Sequence, residues 1–170
     1  MGLFIKCSGG KRTGMRRLNP DYVSAVIRTV NRCPYFQLIS MSITELGEGT
    51  SRMEISLEEK HLQPFGMVHG GVFSSLIDAS AFWAVFPLLD EGLGLTTVEM
   101  KLNYLSPTLK GKMVAKGQCL KLGKTLALGQ SEIHDQKGRL LAHGTATLMV
   151  LSGLTLSPDD SFPPKFTKKL

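Results

Sequence analysis

The run His69 to Phe86, HGGVFSSLIDASAFWAVF, limits what this chain can fold into more than any other stretch. Its apolar residues recur at helical spacing, at about 100° per residue. Val72, Phe73, Leu76, Ala79, Trp83 and Phe86 gather on one stripe, with Ile77 at its edge. Ser74, Asp78, Ala81, Phe82 and Val85 fall on the other side, where Asp78 is the only ionisable residue. A helix that is apolar almost all round has to be covered on both sides. The stripe predicts a sheet beneath it. The other side predicts a second layer, supplied by another subunit.

Candidate strands carry the complement of that helix. Alternate residues of a strand share a face. Ala115, Gly117 and Cys119 share one, as do Ala127, Gly129 and Ser131, and then Ala142, Gly144 and Ala146. Three strands with small centres make a trough in which a bulky helix can lie close. The strands read as Phe36–Leu46, Thr50–Leu57, Thr96–Leu105, Lys112–Leu122, Thr125–His134 and Leu140–Val150. Turns at Gly47–Gly49, Pro107–Gly111, Gly123-Lys124 and Asp135–Gly138 separate them. The short late links suit antiparallel pairing. Upstream, Asn19 caps and Pro20 opens a short helix with Val23, Val26, Ile27 and Val30 on one face, closed by Pro34. The expectation is an α+β fold with about six strands curved around one long helix.

At 170 residues and 42% hydrophobic content the chain can bury a single core. Residues 19–151 form the expected domain. Residues 1–18, with a basic stretch from Lys11 to Arg17, and the proline-bearing tail 152–170 read as flexible segments. The net charge of +6 suits a polyanionic ligand, and its lysines and arginines are scattered rather than gathered on one helix. With no zinc-finger, helix-turn-helix or RNA-binding motif, nucleic acid is not an expected partner. Cys7, Cys33 and Cys119 form no paired framework, which predicts free thiols and a cytoplasmic setting. The start has only a three-residue apolar run, too short for a signal peptide, and no run reads as long enough to span a membrane.

The helix entrance holds the chemistry. In QPFGMVHGG, Gln63–Gly71, a proline and three glycines accompany an amide and a histidine, where an ordinary start needs one cap. Gly70 and Gly71 let a ligand approach the backbone closely. First-turn N–H groups lack helical partners and sit at the positive end of the dipole. Such donors polarise a carbonyl and hold the oxyanion that forms on attack. Gln63 and His69 add side-chain donors. Taken alone, His69 is equally a helix cap, and His61, His134 and His143 read as structural. A partly buried Asp78 needs hydrogen bonds or a use for its charge. Burial raises the pKa of such a group and donors lower it, and the sequence does not say which wins. No Gly-x-Ser-x-Gly elbow points to a serine hydrolase and no spacing points to a metal site. No cofactor is expected.

The stretch Gln63 to Val85, QPFGMVHGGVFSSLIDASAFWAV, resembles the signature of PaaI-like acyl-CoA thioesterases of the hotdog fold. The resemblance runs through about Phe36 to Leu151 and includes NYLSP at Asn103–Pro107. It implies a sheet wrapped around a central helix, a homodimer or dimer of dimers, and a site shared between subunits. It implies that the Gly70 N–H polarises a thioester carbonyl, that Gln63 and His69 orient the group, and that Asp78 of the opposite subunit attacks or activates water. Some relatives carry Ser or Thr one turn beyond the acid to position water; here that residue is Phe82. Gly71, Ser74, Phe82 and Val85 are candidate substrate contacts, the last two for the acyl group, and Lys121 and Lys124 are candidates for the phosphates of coenzyme A. Three readings stay open on such a fold: acyl-CoA hydrolysis, non-catalytic acyl-CoA binding or sensing, and dehydratase or carrier-protein chemistry.

Overall fold

The computed structural model describes residues 16–154, 156 and 162–168. The elements in chain order are β1 (Arg16–Leu18), α1 (Pro20–Asn31), α2 (Pro34–Leu38), β2 (Met41–Gly47), β3 (Thr50–Ser56), α3 (Gly70–Val85), β4 (Leu93–Tyr104), β5 (Lys112–Leu122), β6 (Leu126–Asp135), β7 (Leu140–Ser152) and β8 (Phe166–Lys168). Six strands form one antiparallel sheet in the order β2-β3-β5-β6-β7-β4. It curves around α3, and the fold is the expected hotdog arrangement.

The small-residue trough explains how close the helix lies. Gly117 pairs with Ser131, Gly129 with Ala146 and Ser131 with Gly144, so the small centres stand side by side. A Cβ on Gly117 would lie 2.0 Å from the Ser80 carbonyl oxygen, and one on Gly129 2.8 Å from that of Ala81. A side chain at either position would push the helix off the sheet. Ser80, fully buried on this face, donates to the Leu76 carbonyl and lies 2.6 Å from Ser131 Oγ, while Ser51 Oγ donates to the Ser80 carbonyl at 2.6 Å. The helix–sheet seam is therefore satisfied as well as tight.

The structure moves several expected features. Pro34 begins a helix instead of only ending one: α2 takes Pro34–Leu38, and the first strand starts at Met41, not Phe36. Proline is well suited to the first turn of a helix, where its missing N–H costs nothing. Ala81 and Val85 are fully buried, whereas Ala79 is half-buried on the outer face. The side of α3 that meets the sheet is centred on Ile77, Ser80, Ala81 and Ala84, rotated from the expected stripe. Nor is the run too short to cross a membrane: Gly70–Leu88, with a closing 3₁₀ turn, is long and apolar enough by length and composition. Here it is the core helix of the sheet, mostly buried.

The expected flexible ends are partly built. Arg16–Leu18 pairs antiparallel with Phe166–Lys168. Asn19, whose side chain caps α1 by accepting from Asp21 N, also donates to the Pro164 carbonyl at 2.8 Å. Residues 1–15, with Cys7 and Lys11, and residues 155, 157–161 and 169–170 lie outside those described. At one sheet edge Asn31 imitates a strand partner, accepting from Ile43 N at 2.8 Å and donating to its carbonyl at 3.0 Å. The other edge is β4, twelve residues long.

Candidate active site

His69 is the residue that starts α3. It has extended backbone, and its Nδ1 accepts from Gly71 N at 2.9 Å. That bond leaves Nε2 as the nitrogen that carries the proton and faces outward to donate. It also spends the Gly71 N–H, so Gly71 is not a free donor as expected. Val72 N is bonded to the His69 carbonyl. The Gly70 N–H has no partner within the helix, because the first turn lacks the preceding carbonyl. Of the two glycines, Gly70 is the one with the donor to offer.

The loop before the helix is held by its own polar groups. Gln63 Oε1 accepts from Phe65 N at 2.5 Å, and the Gln63 backbone bonds to Met67 and Gly66. The amide oxygen is thus engaged and the NH₂ group is what Gln63 has left to donate. His61, almost fully buried, accepts from Glu58 N at Nδ1, meets the Ile39 carbonyl through Nε2 at 2.9 Å, and takes His69 N on its own carbonyl. It is structural, as expected, but it anchors the site residue directly.

Tyr104, which the sequence reading quoted within NYLSP but gave no role, stands over the mouth. Its hydroxyl lies 3.1 Å from Ser74 Oγ and donates at 3.4 Å to the Gly70 carbonyl, which Ser74 Oγ also donates to. A Cβ on Gly70 would lie 3.1 Å from that hydroxyl. Glycine at 70 therefore serves packing against this ring as well as ligand approach.

Asp78 lies two turns further along, half-buried, and accepts from Thr97 Oγ1 at 2.8 Å. Thr97 was also missed. It precedes an irregularity in the β4–β7 register between Thr97 and Glu99. A bulge of this kind re-aims side chains near sites, and alternation cannot follow a strand through it. Thr97 supplies a hydroxyl to the acid from the sheet, the group that Phe82 cannot offer from the helix.

Beside Asp78 is an open hollow of ≈ 430 Å³. Ser74, Ser75, Ala79, Phe82 and Trp83 line it from α3, Tyr35 and Phe36 from α2, and Met41 and Met100 from the strands. Of the residues expected to contact a substrate, Phe82 and Ser74 line this hollow. Val85 is not: it is sealed in the core. Lys121 and Lys124 are exposed but stand toward the far end of α3, because β5 runs from the level of Ser80 at Gly117 toward Leu88 beyond Cys119. Among the described residues, no group of three or more His, Cys, Asp or Glu side chains is placed to hold a metal.

An antiparallel sheet wrapped on one buried helix, with an unpaired helix N-terminus and a carboxylate on the helix's outer face, defines a hotdog protein with a polar site. The family model described as Thioesterase superfamily matches residues 65–142. A solved protein from the thioesterase superfamily is 30% identical, with 76% of this chain and 98% of that chain covered and a TM-score of 0.66. Acyl-coenzyme A thioesterase 13 of Mus musculus is 28% identical over 126 residues, 72% of this chain and 89% of that protein. A hypothetical thioesterase protein solved with coenzyme A, from Streptococcus pneumoniae TIGR4, is 26% identical, covering 68% of this chain and 88% of that one, with a TM-score of 0.62. The chain belongs to the thioesterase superfamily.

Proposed function

We propose that this protein hydrolyses acyl-CoA thioesters at a site completed by two copies of the chain. The observation that carries this reading is the pairing of a helix N-terminus that has a donor to spare with a carboxylate fixed by Thr97 at 2.8 Å. The two are eight residues apart on one helix, about 12 Å along its axis. That is too far for one chain's Asp78 to act on a carbonyl held at its own Gly70. A second copy pairing along the free edge of β4 in antiparallel fashion brings the start of one α3 toward the middle of the other. The same two-fold moves Lys121 and Lys124, remote from Gly70 within one chain, to the end of the sheet where the partner's helix begins. There they stand as candidates for the coenzyme A phosphates.

In this arrangement the thioester carbonyl accepts from the Gly70 N–H, with the His69 Nε2–H and the Gln63 NH₂ as flanking donors. Asp78 of the partner subunit either takes a proton from a water that attacks the carbonyl carbon or attacks it directly. The C–S bond then breaks and the thiolate of coenzyme A takes up a proton; where water was the nucleophile the free acid leaves at once, and where Asp78 was, water then hydrolyses the acyl–Asp78 anhydride to free acid and restores the carboxylate. Donors fixed in advance at the forming oxyanion are the largest single contribution such a site makes.

Free thiol release from a panel of acetyl, medium-chain, long-chain and aromatic CoA thioesters tests the reading. At least one is expected to turn over. Asp78→Asn keeps the shape but cannot act as base or nucleophile, and it is expected to lose about 10²–10⁴-fold in kcat. Sedimentation of the same sample reports the assembly. A fully active monomer, or an Asp78→Asn variant at the normal rate, overturns the proposal.

A further inference from the structure

We propose that Tyr35 is the residue that limits the size of acyl group this protein accepts, an inference that rests on the hollow beside Asp78 receiving the acyl chain. Tyr35 is the second residue of α2, the five-residue helix that sequence periodicity did not reveal. Its ring lines the hollow while remaining 53% exposed. Its hydroxyl lies 2.6 Å from Ser75 Oγ, and Ser75 Oγ in turn donates to the Gly71 carbonyl at 2.9 Å. Ser75 has one proton and spends it on Gly71, so the Tyr35 hydroxyl is the donor in the pair. The ring is therefore tied to the second turn of α3, about one turn before Asp78. It closes the hollow at that end, while Phe82 and Trp83, 5.1 Å apart edge to face, close the other.

The backbone beneath Tyr35 is fixed. Phe36 next to it is buried in the core. The end of α2 is held by His61 on the Ile39 carbonyl, and Ser40, at φ +50, turns the chain into β2 while its hydroxyl accepts from Lys60 Nζ at 2.7 Å. A non-glycine residue in the left-handed region needs such support to persist. The movable part of this wall is the Tyr35 side chain, held by one hydrogen bond. An acyl group longer than the hollow has to displace that ring and break the bond to Ser75.

The test uses the full chain and a ladder of straight-chain acyl-CoA thioesters of increasing length, with one aryl thioester. For Tyr35→Ala the limit moves to larger groups: kcat/KM for the first acyl group the wild type disfavours rises at least about tenfold relative to acetyl-CoA, as expected for opening an apolar pocket by more than one methylene. Tyr35→Phe and Ser75→Ala keep the ring and cut its tether, and give a smaller shift of the same sign. Tyr35→Trp narrows the range. Binding of non-hydrolysable alkyl-ketone analogues of acyl-CoA is measured alongside, and melting curves check that each variant is folded. Length profiles that superimpose for wild type, Tyr35→Ala and Tyr35→Trp overturn the inference while leaving hydrolysis standing. Analogue binding that shifts with residue 35 in a protein that hydrolyses nothing overturns the hydrolase reading and keeps the wall. Absence of both turnover and length-dependent binding overturns both.

Discussion

The two ends of α3 are treated in opposite ways. At its start the chain leaves polar groups exposed: the Gly70 N–H without a helical partner, the His69 ring at the surface, and the Tyr104 and Ser74 hydroxyls on the Gly70 carbonyl. At its far end the Phe86 carbonyl is covered, by Leu89 N at 3.2 Å and by a buried lysine. Lys165, 4% exposed, donates from Nζ to the Phe86 carbonyl at 2.9 Å and stands 4.7 Å from the Phe86 ring centroid. Tyr22 and Phe166 flank the same ammonium, and Phe162 packs on Tyr22. The backbone of that strap is tied down as well, through Lys165 N to Glu91 and Asn19 N to the Lys165 carbonyl. A cation at a helix C-terminus meets the negative end of the dipole, and the buried carbonyl is satisfied. In the proposed function the free donors at one end serve a ligand; the same openness at the other end would only weaken the core. The comparison predicts that damage at the start falls on activity and damage at the end falls on stability.

Replacing Gly70 by Pro is the sharpest way to break that contrast. Proline is tolerated at the first helical position, and His69 already has the extended backbone (ψ 139) that a residue before proline requires. The substitution removes the N–H and also brings a Cβ within 3.1 Å of the Tyr104 hydroxyl, so Gly70→Ala, which crowds that hydroxyl but keeps the N–H, is the control. Loss of one oxyanion donor costs about 10²–10³-fold in kcat. Stopped-assay rates with a melting curve alongside are the check. An unchanged rate in a folded Gly70→Pro protein removes the helix start from the mechanism.

Lys165→Ala is the counterpart at the closed end. It removes one of the two donors to the buried Phe86 carbonyl, leaving Leu89 N at 3.2 Å, and loss of this hydrogen bond from a charged group is expected to cost about 1.5–3 kcal/mol. At this chain length that lowers Tm by about 2–4 °C per kcal/mol. The kcat of the surviving folded protein should match wild type. A rate loss without a fall in Tm would mean that the two ends are coupled through the helix.

Thr97→Ala, between the ends, removes the hydroxyl that holds Asp78. A drop of about tenfold in kcat is expected for one hydrogen bond to a charged group, with KM little changed. Rescue by Thr97→Ser, which keeps the hydroxyl, separates a positioning role from a packing one.

The smallest effect concerns Tyr22, whose phenol is pushed up to about 12 by burial and by the Glu91 carboxylate nearby. A folded-state value above the unfolded one means the contribution is complete below the ordinary tyrosine value near 10 and is lost as pH rises through the folded value. Stability should therefore fall between about pH 10 and 12, and fall less in Tyr22→Phe. Parallel pH–Tm curves for the two proteins would show that the strap end does not sense this ionisation.

What could be read from the sequence was local. The Asn19 cap, the run of α3 and most strands depend on neighbours a few residues apart, and the three small triplets marked the trough because strand alternation is a short-range rule. The hinge of the site was legible for the same reason: His69, Gly70 and Asp78 lie within one helix and its entrance. Thr97 was hidden by the β4 irregularity, which breaks alternation where the acid needs a partner. Tyr35 was hidden because PYF reads as the start of a strand until Pro34 is seen as a first helical residue. The side of α3 that meets the sheet was misjudged because a helix apolar nearly all round has no strong direction to read, and so Val85 was assigned outward while it is buried.

The sequence by itself determined the long helix, most strands of the sheet with their small-residue faces, and the presence of a donor-rich helix start with an acid two turns on. Tertiary structure alone decided the partners: Thr97 for Asp78, Tyr104 for Gly70, Ser75 for Tyr35, and Lys165 for the Phe86 carbonyl. Those pairs are 19 to 79 residues apart in sequence. Periodicity fixes which way a side chain points within its own element, but which distant residue it meets depends on how the sheet closes around the helix.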